Sequence, residues 1–400
     1  MTVAEPLVLQ KSSPAHPPRQ GFALWQLGFR PFYLGASAFA CLSIALWAAQ
    51  YAGWLPRPYL SGPLWHAHEM LFGYTFAVLA GFLFTAVRNW TQKPTPTGRG
   101  LAILFALWVA GRVLVLTPFP VAAAIVNVLF PFAVAYAIAI PLAHSANRRN
   151  YFFVGLLALI GFAVLAVHLD QLHVAPLPAW AGIQLALDVI LFIMTVMGGR
   201  VIPMFSNNGV PGCGAVRKPW LERSVLGTTL AVLVADLARV PDKLLLVVLA
   251  ACAAAQLSRL LLWRPWNTTR VPLVWVLHVA YGWIAIHLAL RAFATAGLVS
   301  PSLATHALTV GAIGGLTIGM MVRTARGHTG RMLTTDRFEV AAFVAIALAA
   351  VVRVFGPLFA PAHYIGTVIC GASLWSLGFG IYAVRYWPVL TSPRVDGKPG

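Results

Sequence analysis

Apolar runs recur along the chain from Phe32 to Trp387, and no polar stretch between them is long enough to hold a soluble domain. A helix needs about 20 apolar residues to cross a hydrocarbon core ~30 Å thick. Within that core every backbone N–H and C=O must find a partner in its own segment, so repeated runs of this length read as spanning helices. Twelve follow, near residues 32–53, 66–87, 100–117, 121–143, 151–170, 179–203, 224–239, 243–262, 272–292, 303–324, 338–358 and 363–386. They predict an all-α polytopic transmembrane bundle in one domain, residues 31–388, between short tails at 1–30 and 389–400. Composition agrees: 10% of the residues are charged, against about 25% in a soluble domain. The first tail carries Pro14, Pro17 and Pro18 without the small-residue cleavage site of a signal peptide.

A net charge of +18 would point to nucleic acid in a soluble protein, but here the basic residues fall between apolar runs instead of forming a patch. Lysine and arginine resist translocation and collect on the cytoplasmic side of a membrane. With the N-terminus inside, cytoplasmic segments receive Lys11, Arg19, Arg88, Lys93, Arg99, Arg148, Arg149, Arg217, Lys218, Arg223, Arg264, Arg270, Arg323, Arg326, Arg331, Arg337, Arg385, Arg394 and Lys398. Periplasmic segments receive little beyond Arg57, Arg239, Lys243 and Arg291. A multi-pass protein of the bacterial inner membrane with both termini cytoplasmic is the expected topology. The four cysteines, Cys41, Cys213, Cys252 and Cys370, are isolated, which excludes a CxxCH covalent haem site and any CxxC pair. Neutral histidine is then the main soft ligand for any metal.

Ionisable groups inside a bilayer are costly, so each is a functional hypothesis by default. By this threading His66 and His68 enter helix 2, and His306 enters helix 10, from the periplasmic side; His168, His287 and His363 lie at the same level. His278 lies about 9 Å into helix 9 from the cytoplasmic side, and His328 sits in a cytoplasmic turn. The segment WHAHEM, Trp65 to Met70, is the densest. In a regular helix His66 and His68 point about 200° apart, so they face two different sites unless the first turn is unwound. Glu69 could orient an imidazole or carry protons; interfacial histidines capping a helix start are the bland alternative. Asp188, Glu69, Arg112 and Asp170 could pair structurally or form a proton path. Arg200 and Arg323 read as topology anchors, with haem-propionate partners the other reading.

Helix 10 carries Gly311, Gly314, Gly315 and Gly319, which let a neighbouring helix or a flat cofactor approach the backbone. His306 adds the axial imidazole that a haem would need. An internal repeat joins helices 2 and 10: aligning His68 with His306 brings Gly73 onto Gly311, Gly81 onto Gly319, Arg88 onto Arg326 and Thr91 onto Thr329. Helix 6 descends similarly into a basic end at Arg200. Helices 2, 6 and 10 are four apart, which suggests three arcs of four helices around a centre, as in the haem-copper oxidase core. Helices 6 and 7 carry no histidine, so that analogy fails at the copper site.

The blocks GFRPFYLGA (Gly28 to Ala36), HAHEMLFGY (His66 to Tyr74), GGRVIPMFSNN (Gly198 to Asn208), LHVAYGW (Leu277 to Trp283) and HALTVGAIGGLTIGMMVRTARGHTGR (His306 to Arg331) resemble the NnrS family over nearly the whole chain. The resemblance implies a bacterial inner-membrane protein of about twelve helices, associated with haem and copper and with the nitric oxide response. It marks His66, His68, His278, His306 and His328 as motif histidines. His68 and His306 form the leading pair for a b-type haem, with His66 an alternative axial ligand or part of a copper site and His278 next.

The leading functional expectation is a haem protein that binds nitric oxide and relieves nitrosative stress, with Glu69 placed to supply protons if nitric oxide is reduced. A quinol or a cytochrome would be the electron donor, the lipid bilayer the other partner, and nucleic acid none. The competing class is a twelve-helix transporter of copper or a small solute, which expects discontinuous helices and a polar midplane; Gly198 to Pro203 is its one candidate break. A haem or nitric oxide sensor without turnover is the third.

Overall fold

The computed structural model describes residues 21–55, 58–145 and 147–398. Lys11, Arg19, Arg57, the three tail prolines and the final two residues lie outside this range. The protein is 80% helical, with no strand among the described residues. Its twelve helices are α1 (Phe29–Tyr51), α2 (Gly62–Thr91), α3 (Gly98–Leu114), α4 (Pro120–His144), α5 (Phe152–Gln171), α6 (Ala179–Gly209), α7 (Pro219–Leu237), α8 (Asp242–Leu262), α9 (Pro272–Thr295), α10 (Pro301–His328), α11 (Arg337–Phe359) and α12 (Tyr364–Thr391). Each falls within a few residues of an expected span. Ten are long and apolar enough to cross a membrane, so the chain is a multi-pass membrane protein. The other two are α3, only 17 residues long, and α7, which carries Glu222, Arg223 and Asp236.

Local chemistry sets the ends. α4, α7, α9 and α10 each begin on a proline, whose fixed φ and missing N–H suit the first turn. α11 begins with a capping box in which the Asp336 carboxylate accepts from the backbone of Phe338 and Glu339, and Glu339 accepts from the Asp336 N–H. The expected break at Gly198 to Pro203 needs correction: α6 runs through Pro203 to Gly209. The carbonyl that Pro203 leaves without its helical donor is that of Gly199, and membrane helices tolerate such a proline where neighbouring groups re-satisfy the freed backbone.

Consecutive helices pack side by side around the bundle, and α12 returns against α1. Arg30 locks that closure by donating to the carbonyls of Leu390 and Ser392 at 2.9 and 2.7 Å. Burial separates centre from periphery. The spans of α2, α6, α9 and α10 are 67–83% buried, against 22–44% for the other six candidate spans. Together with α1, these four line a partly open cavity of about 110 Å³.

The repeat between helices 2 and 10 extends to the backbone. α2 widens into a π-helical segment at Glu69–Thr75, directly after His68, and α10 does the same at Ala307–Gly314, directly after His306. Such π segments are rare and gather at functional sites. The four glycines of α10 serve packing. A Cβ at Gly311 would fall 2.4 Å from Trp283, at Gly314 2.6 Å from Trp375, at Gly315 2.6 Å from Ala280 and at Gly319 2.8 Å from Val276. Their faces are filled by protein, which is the small-residue helix contact and leaves no open surface for a flat cofactor there.

Candidate functional site

The short α-helical entry to α2, Gly62–His68, is regular, and His66 and His68 accordingly face different neighbours. His66 stacks on Trp47 of α1, ring centroids 4.3 Å apart and 18° between planes. His66 is within electrostatic reach of His306 on α10, and Arg353 of α11 acts on both. His306 donates from Nδ1 to the Ser302 carbonyl at 2.7 Å, while Arg353 reaches the Ser302 hydroxyl at 3.3 Å. These residues form one cluster.

His68 belongs to a second. It is fully buried and meets His168 of α5 edge to face, with centroids 5.1 Å apart. Its Nδ1 donates to Glu69 Oε1 at 2.8 Å. The same oxygen accepts from Arg112 of α3 at 2.5 Å, and the other terminal nitrogen of Arg112 donates to Asn127 of α4. The buried chain His68–Glu69–Arg112–Asn127 thus ties three helices together. Tyr59, in the loop before α2, bonds His168 Nδ1 at 3.1 Å.

Hydrogen-bond arithmetic then fixes which nitrogens stay bare. Carboxylates and carbonyls only accept, so His68, His306 and His287 carry their proton on Nδ1; His287 gives it to the Ala304 carbonyl at 2.8 Å. Ser206 spends its proton on Ile202, so the 2.7 Å bond to His278 is donated by His278 Nε2. Five buried imidazole nitrogens are left without a protein partner: His66 Nδ1, His68 Nε2, His168 Nε2, His278 Nδ1 and His287 Nε2. Glu69 Oε2 is a sixth such atom. Each costs about 1–3 kcal/mol if nothing satisfies it. An imidazole whose far nitrogen is fixed by a hydrogen bond is also the arrangement that orients metal ligands.

The donor set therefore fits a metal or a haem iron. Two limits apply. Among the described residues no three of His, Cys, Asp or Glu gather closely enough to enclose an ion, so the protein offers pairs. And the contact between His68 and His168 leaves no room for a porphyrin between them, since two axial imidazoles, each bonded at about 2 Å, hold their ring centres about 6 Å apart.

Arg323, Arg200 and His328 lie at the far end of the bundle. Arg323 comes 17 residues after His306, about 25 Å along α10. It covers the ring of Phe205 at 3.7 Å, next in sequence to the Ser206 that holds His278, so its neighbour is His278 and not His306. Arg200 donates to Asn150 at 2.8 Å. His328 packs on Phe29, ring centroids 5.7 Å apart, while its carbonyl accepts from Arg394. Asp188 is paired with Arg291 at 3.3 Å, and Asp170 accepts from Gln171 near Tyr59, the partner of His168.

Sequence reasoning placed His168 at the right level without joining it to His68, and it missed Asn127 and Tyr59. Depth along a helix was available from hydropathy; the rotation that turns α5 toward α2 was not. Compared with known proteins, residues 23–394 match the model of the family described as NnrS protein. No curated protein sequence gives a significant match.

Proposed function

The chain belongs to the NnrS family and is a membrane protein of the nitric oxide response; from that premise we propose that it is an inner-membrane haem b protein that binds nitric oxide, with His306 and His66 holding the haem iron. The observation that supports this reading is the group of bare, buried imidazole nitrogens of His66, His68, His168 and His287 at the end of the bundle that also holds His306. A haem there would supply the iron that binds nitric oxide, with one of the two imidazoles giving way to the gas. Without a CxxCH motif the attachment is non-covalent. His68 and His168, too close for a porphyrin, form a pair suited to copper, for which imidazole is a natural ligand.

The chain's own groups have distinct tasks. Glu69 fixes the tautomer of His68 through Oε1, and its buried, unpartnered Oε2 is the seat for a proton beside the imidazoles. Arg112 holds that carboxylate in place, and Asn127 holds Arg112. The termini are assigned to the cytoplasm by the arginine-rich loops. If nitric oxide is reduced, Glu69 passes protons inward and a quinol or cytochrome provides electrons. The transporter alternative draws no support from α6, which is continuous, nor from the apolar centre.

The test is an absorbance spectrum of the detergent-purified protein, oxidised and dithionite-reduced, before and after nitric oxide. A Soret band that shifts on adding nitric oxide to the reduced protein is expected. A Soret band indifferent to nitric oxide would refute binding. Consumption of nitric oxide with an artificial electron donor separates an enzyme from a sensor.

A further inference from the structure

The central cavity is built by the repeat. α2 lines it with Thr75, Val78, Leu79 and Phe82, and α10 lines it with Ile313, Leu316, Thr317 and Met320. These are the same four positions under the alignment of His68 with His306, each set spaced i, i+3, i+4, i+7 along one helical face. α6 brings Ile190, Ile193, Met194 and Met197 in that same spacing. Three central helices thus turn matching faces to one space, a regularity that a packing defect would not show.

The space is apolar. Thr75 turns its hydroxyl to the Met70 carbonyl at 2.8 Å, and Thr317 turns its own to Ile313 at 2.7 Å. The Tyr33 hydroxyl is buried without a hydrogen-bond partner among the described residues. A water inside needs two to four polar partners, and the walls offer at most the Tyr33 hydroxyl; apolar cavities of about 150 Å³ stay dry and take up xenon or benzene. At about 110 Å³ this one suits something smaller than a drug-like or quinone ligand. Thr75 and Ile313 each come seven residues after their histidine, about 10 Å along the helix. The cavity is therefore one to two turns below the histidine end.

We propose that this cavity is a binding site for one small, uncharged, apolar gas molecule, held between α2, α6 and α10 beneath the histidines. Naming that gas as nitric oxide rests on the proposed function; the site itself does not. The experiment is xenon pressurisation of crystals of the full chain. One anomalous peak is expected between Thr75, Ile193 and Ile313, and it should vanish in Val78→Phe and in Ile193→Phe, either of which suffices should the other not fold. No peak there in the wild type, a peak that survives in a folded filled variant, or chain-shaped lipid density in the cavity would overturn the proposal. Xenon needs no haem, so a missing Soret band would defeat the functional reading and leave this result standing. In haem-loaded protein the filled variants should keep the spectrum and associate with nitric oxide more slowly; an unchanged rate would remove nitric oxide as the occupant.

Discussion

α2 and α10 share a plan and differ in chemistry. Each carries a histidine and then a π segment, with packed glycines and four cavity-facing residues interleaved from that segment onward. After His68, however, comes the buried Glu69 with its Arg112 and Asn127 partners, whereas His306 is followed by Ala307 and leans only on the Ser302 carbonyl. Position has been repeated and ionisable chemistry has been installed once. A titratable group inside a bilayer is expensive, so its presence in one copy alone marks α2 as the side where protons are handled. α10 offers an imidazole and little else.

The contrast can be broken where it is strongest. Arg112→Ala leaves the Glu69 carboxylate buried and unpaired, and removing one member of such a pair typically costs about 3–5 kcal/mol. Thermal unfolding in detergent should show it, and a loss below about 1 kcal/mol would mean that water already reaches Glu69. Asn127→Ala removes only a hydrogen bond to a charged group and should cost about 1.5–3 kcal/mol.

The equivalent glycines sharpen the comparison. Gly311→Ala pushes a methyl into the Trp283 ring, an overpacking cost of about 1–3 kcal/mol with no direct effect on the Glu69 chain. Gly73→Ala meets Arg112 at 2.6 Å and Phe39 at 2.8 Å. It should destabilise by a similar amount and also loosen the Arg112–Glu69 contact, visible as a changed carboxyl band in infrared difference spectra. If both variants leave that band alike, the two helices are not chemically distinct in the way described.

The smallest effect lies outside the membrane. Arg394 grips Asp396 at 2.6 and 2.9 Å and the His328 carbonyl at 3.1 Å, fastening the C-terminal segment to the end of α10. The bond holds the Asp396 carboxyl down to about 2. A lowered acid contributes stability above its ordinary value near 4 and loses it as the pH falls through about 2. Being largely exposed, the pair should be worth about 0–1 kcal/mol, and Arg394→Ala should leave the unfolding temperature almost unchanged between pH 5 and 8.

The fold was largely legible because hydrocarbon thickness dictates helix length, and the four-helix spacing of α2, α6 and α10 anticipated which helices meet at the centre. Pro203 misled: read alone it suggests a break, but α6 runs on through it to Gly209. The 200° between His66 and His68 announced different neighbours for the two rings, and Trp47 and His168 are those neighbours. Which partners those sites would have was hidden, since His168 and Asn127 are brought in by the rotation of helices whose surfaces are apolar on every side.

The most direct test of the central claim is to measure haem and copper per chain in detergent-purified wild type and in His66→Ala, His306→Ala, His68→Ala, His168→Ala and His278→Ala. The account predicts a Soret band in the wild type, haem lost with copper retained in the first two variants, and copper lost with haem retained in the next two. Absence of a Soret band in protein made with ample haem, or haem lost in His278→Ala alone, would contradict it.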